Sequence, residues 1–420
     1  MKILWVKAGG LVPLNTGGKI RSYHILKELA RKHHITLYTY YGEHPNDEHH
    51  DLDHLFARVI RRPLRIAAPR SVSDCFDYAH YFFSSYPHSM SRYYRPEISQ
   101  EVRRLAQSEN YDVMVCDFLA PARVIPWDVS CPKILFTHNV EAAIYRRHYE
   151  TARNPMWKLA ACREYRRTAR TEHRYLEQAD HVLTVSDTDR ESFSRHIDSD
   201  KITTIPTGVD VEYFQPASEG CHPNTLVFTG SMDWLPNEDA MLYFANHILP
   251  RIRSHVPDVS VLIVGRRPSL KLQALAASDR KIHVTGAVED VRPYIRQGSV
   301  FIVPLRIGGG TRLKIFEAMA MARPVVSTSI GAEGLPVKDG TNILIADSSE
   351  EFARAVARLL RDSLERSRLG TAARQLVEQA YSWTAVVTRF ESVLTSLAER
   401  KAECPPPEIG DPKEIAHSPL

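Results

Sequence analysis

At 420 residues the chain exceeds one ordinary hydrophobic core and fits two domains. Hydrophobic residues at 43% and charged residues at 25% are those of a soluble globular protein, and a formal net charge of only +4 leaves no case for nucleic acid as the main partner. Six cysteines without CxxC spacing argue against a zinc site and a disulfide framework, and for a reducing cytoplasm.

The N-terminal MKILWVKAGG has a strand-like run, Ile3–Val6, but lacks the long apolar core of a signal peptide. Gly17 and Gly18 follow, then a helical pattern from near Ser22 to Lys32, then a second strand run, Ile35–Tyr40. Arg58, Arg61, Arg62 and Arg65 cluster next and read as a solvated face. Val113–Cys116 is a strand run ended by Asp117, and Ile134–Thr137 is one followed by His138. An arginine-rich helical stretch (Arg163, Arg166, Arg167, Arg170, Arg174) precedes Val182–Val185 and Ser186. A solvated face accounts for these arginines too; the alternative is a docking surface for anionic lipid or an anionic acceptor. The Gly/Pro/Ser-rich Pro206–Asn224 marks a break. Beyond it the strand runs are Leu226–Thr229, Val259–Val264, Ile282–Thr285, Val300–Pro304, Val325–Thr328 and Ile343–Ala346. Continuous apolar runs alternating with helical patterns predict parallel strands buried on both faces, hence an α/β chain with two doubly wound sheets. The domains are expected at 1–210 and 211–381, with a last helix at 382–400 and a disordered Pro-rich tail at 401–420. No stretch is long and apolar enough to span a bilayer, so membrane contact is expected to be peripheral at most.

The most informative segment is VFIVPLRIGGGTRLKIFEAMAMARPVVS, Val300–Ser327. A strand ends at Pro304, Gly308, Gly309 and Gly310 form a loop, and a helix begins near Thr311. Loop glycines let backbone N–H groups approach a phosphate, and the helix N-terminus adds positive potential. Arg312 and Lys314 stand where cations oppose the helix dipole at roughly 0.3–1 kcal/mol each. An anion bound there explains the pair better than two side chains reaching solvent. Glu317 follows among apolar neighbours and needs a partner, a ribose diol or a neighbouring arginine.

These residues, with FTGSMDWLPNEDA, VLIVGRRP, IHVTGAVEDVRPYI and SIGAEGLPVKDGTNILIA, resemble the retaining glycosyltransferases of family 4, which have the GT-B fold. The resemblance implies two Rossmann-like domains facing across a cleft, a nucleotide-sugar donor in the second, and a glycan or lipid-linked acceptor at the first. It implies ribose binding by Glu317 and framing of the base by the Gly286–Val288 turn. It likens Gly17 and Gly18 to the loop that closes on the donor phosphates, with Arg21 beside it. Asp117 stands where a related enzyme often has a histidine near the reacting carbon, and His138 resembles the family's THN-type histidine. A helix cap or turn role for Asp117 and a structural role for His138 stay open. Ser186 resembles a serine near the cleft or is an N-cap. The chain departs from the pattern at Gly309, where a first glutamate usually stands, and at Ser231–Asp233, where an Arg and a Lys usually follow the glycine matching Gly230. Arg312 and Lys314 are the candidates for that missing charge, and with Asp117 and His138 they form the expected catalytic set.

Two DxD strings, Asp51–Asp53 and Asp187–Asp189, read as loop and helix-start residues rather than metal ligands. No cofactor and no metal are therefore expected, the donor being a substrate. A nucleotide-sugar epimerase and a non-catalytic nucleotide-sugar-binding protein are the competing readings. A dinucleotide oxidoreductase is poorer, since no GxGxxG follows Ile3–Val6. The resemblance further suggests cell-surface polysaccharide or glycolipid assembly, with a cytoplasmic enzyme at the inner face of the membrane.

Overall fold

Every apolar run named above forms a strand, because a sheet covered on both faces selects unbroken Val/Ile/Leu segments. The computed structural model describes residues 1–14, 16–42, 52–67, 71–152, 154–217, 219–307 and 313–403. The chain divides into two compact units, Met1–Ile205 with the segment from Val387 on, and Pro206–Val386.

The first unit holds a seven-stranded parallel sheet. Its strands are β1 (Lys2–Ala8), β2 (His34–Tyr41), β3 (Arg58–Pro63), β4 (Val113–Asp117), β5 (Lys133–Phe136), β6 (His181–Thr184) and β7 (Ile202–Thr204), in the spatial order β3-β2-β1-β4-β5-β6-β7. Strand order reverses at β1, so loops after β1 and β4 diverge and open a crevice at the carboxyl edge. One face of β1 and β4 carries Leu4, Val6, Met114 and Cys116 into a core with Leu135, Tyr175 and Leu176. The other face carries Trp5, which stacks on Phe390 at 5.6 Å between ring centroids, with Phe136 edge-on to both. Phe390 belongs to the last helix, Trp383–Glu403, whose Glu391 also pairs with Lys32 at 2.8 Å and His33 at 3.0 Å.

The second unit holds a six-stranded parallel sheet, β10-β9-β8-β11-β12-β13. The strands are β8 (Thr225–Thr229), β9 (Ser260–Val264), β10 (Ile282–Val284), β11 (Val300–Val303), β12 (Val325–Ser327) and β13 (Leu344–Ile345). Here the order reverses at β8, and the crevice lies between the loops after β8 and β11. Among the described residues no helix is long and apolar enough to cross a membrane. The part of the expected tail beyond residue 403 lies outside the described residues.

Two strands and one helix boundary differ from expectation. Three of the four clustered arginines, Arg58, Arg61 and Arg62, belong to edge strand β3, and their ion pairs with Glu109, Asp53 and Glu101 are those of a solvated edge. Strand β7 is three residues long and pairs only with β6. The helix expected from Ser22 begins at Gly17, because the Thr16 hydroxyl accepts the Lys19 N–H and caps it.

Candidate active site

Register builds the first constellation. Lys7 of β1 and Asp117 of β4 are direct partners across the ladder, so their side chains rise on the same face. The Lys7 ammonium lies 2.9 Å from Asp117 Oδ2, and the Trp5 indole N–H, two residues back on that face, donates to the same oxygen at 3.0 Å. His138 follows β5 by two residues and meets Asp117 Oδ1 through Nε2 at 2.8 Å. Arg21, one turn into the helix Gly17–Leu29, reaches His138 Nδ1 at 2.9 Å. Ser22 accepts from Lys7 at 3.2 Å and donates to the Gly18 carbonyl at 3.0 Å. All of these side chains are buried, and Asp117 is fully so.

The donors fix the protonation states. A guanidinium can only donate, so His138 Nδ1 accepts and Nε2–H is donated to Asp117. Burial pushes the His138 imidazole down to about 3, against the pull of Asp117. Burial alone would raise the Asp117 carboxyl, but the Lys7 charge and the His138 hydrogen bond outweigh it and hold it well below the usual carboxylate range. Burial likewise lowers Arg21 to about 10, against the attraction of Asp117 and Asp189. The result is a neutral histidine clamped between a guanidinium and a carboxylate.

Phe118 covers this constellation. Its φ of 74° is left-handed backbone, uncommon for a bulky residue, and its ring stacks on His138 at 3.7 Å. A Cβ on Gly18 would sit 2.5 Å from that ring, so glycine there admits Phe118, whereas Gly17 has open space around it. Asp117 is not a helix cap; it is enclosed by Lys7, Trp5 and His138. Ser186 does cap a helix, Asp187–Phe193, accepting from the Asp189 N–H at 3.1 Å. Of the DxD strings, Asp51 lies outside the described residues and Asp53 pairs with Arg61.

In the second unit, Gly308, Gly309, Gly310, Thr311 and Arg312 lie outside the described residues. The helix Leu313–Ala320 carries Lys314 and Glu317. Lys314 does not simply extend into solvent: its ammonium is 2.9 Å from Asn237 Oδ1 and 4.1 Å above the Phe228 ring. Asn237 in turn donates to the Ser231 carbonyl at 2.8 Å. A Cβ on Gly230 would lie 2.7 Å from both the Lys314 and Asn237 nitrogens, which gives the glycine after β8 its physical reason. Glu317 is half-buried between Phe316 and Ala318, makes no side-chain hydrogen bond among the described residues, and burial lifts its carboxyl to about 7 against the nearby Lys314. Gly286, at φ 75°, bridges to Gly265, while Val288 packs on the core of its unit.

Arg266 and Arg267 escaped the sequence reading. They follow β9, and Arg266 Nε donates to the Ser231 hydroxyl at 2.8 Å while Arg267 pairs with Asp233 at 3.1 Å. A carbonyl–amide bond from Arg266 to Met232 ties the two loops at 3.0 Å. Two cations thus stand beside the stretch where sequence showed only Ser231, Met232 and Asp233. The readable signal was the double arginine in VGRRP at a strand end.

The comparisons with known proteins agree for both halves. Residues 16–213 match the family model described as Glycosyltransferase Family 4, and residues 223–362 the model described as Glycosyl transferases group 1. The chain carries a glycosyltransferase family 4 domain followed by a group 1 glycosyl transferase domain. The phosphatidyl-myo-inositol mannosyltransferase of Mycobacterium leprae is 29% identical to this chain over 227 residues, 51% of this chain and 59% of that protein. The match thus spans little more than half of that relative's length. Sucrose-phosphate synthase from Thermosynechococcus elongatus superposes with a TM-score of 0.67 at 18% identity, over 95% of this chain and 99% of that one. HepE of Anabaena, in complex with UDP, gives 0.63 at 14% identity, over 94% and 100%. At such identities the likeness concerns the fold, the two-sheet GT-B architecture.

Proposed function

We propose that this chain is a retaining transferase that takes a sugar from a nucleoside-diphosphate donor and passes it to a glycan or lipid-linked acceptor in cell-surface polysaccharide or glycolipid assembly. The observation that carries the reading is Glu317, a carboxylate without a hydrogen-bond partner among the described residues, held in an apolar helix three residues from Lys314 at the switch crevice of the second sheet. A ribose diol would give both oxygens donors. Lys314, with Arg312 and the Gly308–Gly310 amides, would meet the diphosphate, and Gly286 the base. As the sugar–phosphate bond breaks, negative charge grows on the leaving diphosphate, so cations aimed there favour the transition state over the ground state. In the first unit the rigid Arg21–His138–Asp117–Lys7 constellation fixes the loops after β1, β4 and β5, and Gly17 leaves open backbone at the helix start. Peripheral contact with a membrane surface, at the cytoplasmic face, belongs to the same reading. Support for a lipid acceptor comes from the M. leprae relative, whose name makes phosphatidyl-myo-inositol its substrate. Support for a nucleoside-diphosphate site comes from the UDP bound to HepE.

Turnover is proposed to need no divalent cation, since Asp53 pairs with Arg61 and Asp187 and Asp189 stand in the first turn of a helix capped by Ser186. The test is a screen of nucleoside-diphosphate sugars with hydrolysis as readout, repeated in excess chelator, followed by magnetic resonance of the anomeric proton in the product. Hydrolysis of one donor with retained configuration is the expected result. Conversion of donor alone to an isomeric nucleotide sugar would make the chain an epimerase. Nucleotide binding without turnover of any donor, with acceptor lipids present, would make it a binding protein.

A further inference from the structure

Six large apolar side chains of the first unit, Val72, Phe76, Phe83, Met156, Trp157 and Leu159, each leave between 61% and 92% of their surface to solvent. They come from two segments. Val72 and Phe76 stand one turn apart on the helix Val72–His80, which runs into the Phe82–Phe83 turn. Met156, Trp157 and Leu159 occupy the start of the helix Pro155–Gln178, where every residue from Asn154 to Leu159 is exposed. The segments meet at Arg163: its guanidinium stacks on Phe82 at 3.7 Å, and Arg167 donates to the Phe82 carbonyl at 2.7 Å. Leu159 precedes Arg163 by four residues and so lies on the same side of its helix. The preceding helix, Glu141–Thr151, has no buried residue and the helix Pro155–Gln178 buries none before Ala161, so this end of the helical pair stands clear of the core. Single exposed apolar residues are ordinary; six gathered on one protruding edge are not.

The charge around this edge is of one dominant sign. Arg146, Arg147, Lys158, Arg166 and Arg170 are exposed on the two helices. The acids nearby are largely taken: Glu150 pairs with Arg146, and Asp74 with His88 and Arg92, leaving Asp77 on the shorter helix. A second copy of the chain would bring the same cations face to face. A surface of anionic headgroups over acyl chains complements both features, since apolar tips enter the boundary while arginines stay among the phosphates.

We propose that the helix Val72–His80, the Phe82–Phe83 turn and the exposed start of the helix Pro155–Gln178 dock the protein on an anionic lipid bilayer. This deepens the peripheral-membrane part of the proposed function. It is tested without donor or acceptor, so its failure leaves the transfer reading standing. The full chain is sedimented with vesicles of phosphatidylcholine alone and of phosphatidylcholine with one-third phosphatidylglycerol. Binding is expected to the anionic vesicles only, and to fade as salt rises. The double variant Phe83→Ser, Leu159→Ser should bind about tenfold or more weakly. Arg166→Ala and Arg170→Ala should each bind about fivefold more weakly at low salt. All positions are exposed, and unchanged melting curves confirm the fold. Absence of binding at low salt, or equal binding by the double variant, overturns the proposal. So does self-association in analytical ultracentrifugation that the double variant abolishes, because the edge would then join copies of the chain.

Discussion

Glu317 couples stability, protonation and nucleotide affinity in one side chain. Its carboxyl sits at about 7 in the folded chain against the ordinary 4.5, chiefly through burial. A raised folded value means stability is greatest below about pH 4.5 and is lost as pH rises through 7. At roughly 1.4 kcal/mol per tenfold change the upper bound is roughly 3 kcal/mol, and because solvent still reaches the half-buried group about 1–2 kcal/mol is expected. Glu317→Gln should therefore melt higher than the parent at pH 8 and equally at pH 4.5. Ribose binding reverses the sign. Hydroxyl donors favour the charged form, so nucleotide must displace the proton and affinity must fall as pH drops below 7. If binding restores the ordinary value, affinity falls about twentyfold between pH 8 and pH 5.5, or roughly 2 kcal/mol. Calorimetry with a nucleoside diphosphate in buffers of different ionisation enthalpy reads the released proton directly. The Gln variant supplies the background from the phosphates themselves, and should bind about 10- to 100-fold more weakly at pH 8, from loss of charge-assisted hydrogen bonds. Equal pH slopes for parent and variant, or unchanged variant affinity, would refute the ribose assignment.

Lys314→Met keeps the aliphatic contact with Phe228 but removes the charge; nucleoside diphosphate affinity should drop about tenfold or more by calorimetry, and the transfer rate further, while the melting temperature holds within a few degrees. The buried network makes the first unit acid-labile. His138 has a depressed folded value, so the unfolded chain takes up its proton first and stability falls from about pH 6.5 downward, by about 2 kcal/mol at pH 5. Asp117, held low by Lys7 and His138, adds a further loss only below the ordinary carboxylate value, near pH 3.8. Urea titrations across this range should show the upper slope vanish in His138→Gln. Phe390→Ala removes a ring stacked on Trp5 and edge-on to Phe136 and should cost about 3–5 kcal/mol of stability, read as a lower urea midpoint; a midpoint unchanged would mean the last helix contributes little to the first unit.

What sequence made legible was what periodicity controls. Parallel strands covered on both faces leave unbroken apolar runs, so Ile3–Val6, Val113–Cys116 and Val300–Pro304 could be located from composition alone. Strand β3 reads RVIRRP because an edge strand keeps one side in water, and its three arginines, Arg58, Arg61 and Arg62, masked it. Strand β7 has three residues, too few for any period. The paired glycines signalled a loop and hid a helix start that Thr16 alone, as a capping residue, could have revealed.

The site was legible in its parts and not in its connections. Asp117 and His138 were readable as polar residues at strand ends, but Lys7, Trp5 and Arg21 joined them only once β1 was placed beside β4, a non-consecutive pairing that no local pattern specifies. The same holds for charge in the second unit. Sequence placed the missing cations on the helix after the Gly-rich loop, at Arg312 and Lys314. Pairing of β8 with β9 adds Arg266 and Arg267 beside Ser231 and Asp233, at a distance of more than thirty residues along the chain. Among the described residues Arg267 forms an ion pair with Asp233, whereas Arg266 hydrogen-bonds the Ser231 hydroxyl and only adds its field to Asp233, so Arg266 keeps more of its donors for an anion. Loss of Arg266 should therefore weaken nucleoside diphosphate binding more than loss of Arg267, and the double variant with Lys314 should fall short of additivity, because all three cations would address one diphosphate. Strict additivity of Arg266→Ala and Lys314→Met in calorimetry would place Arg266 outside the site.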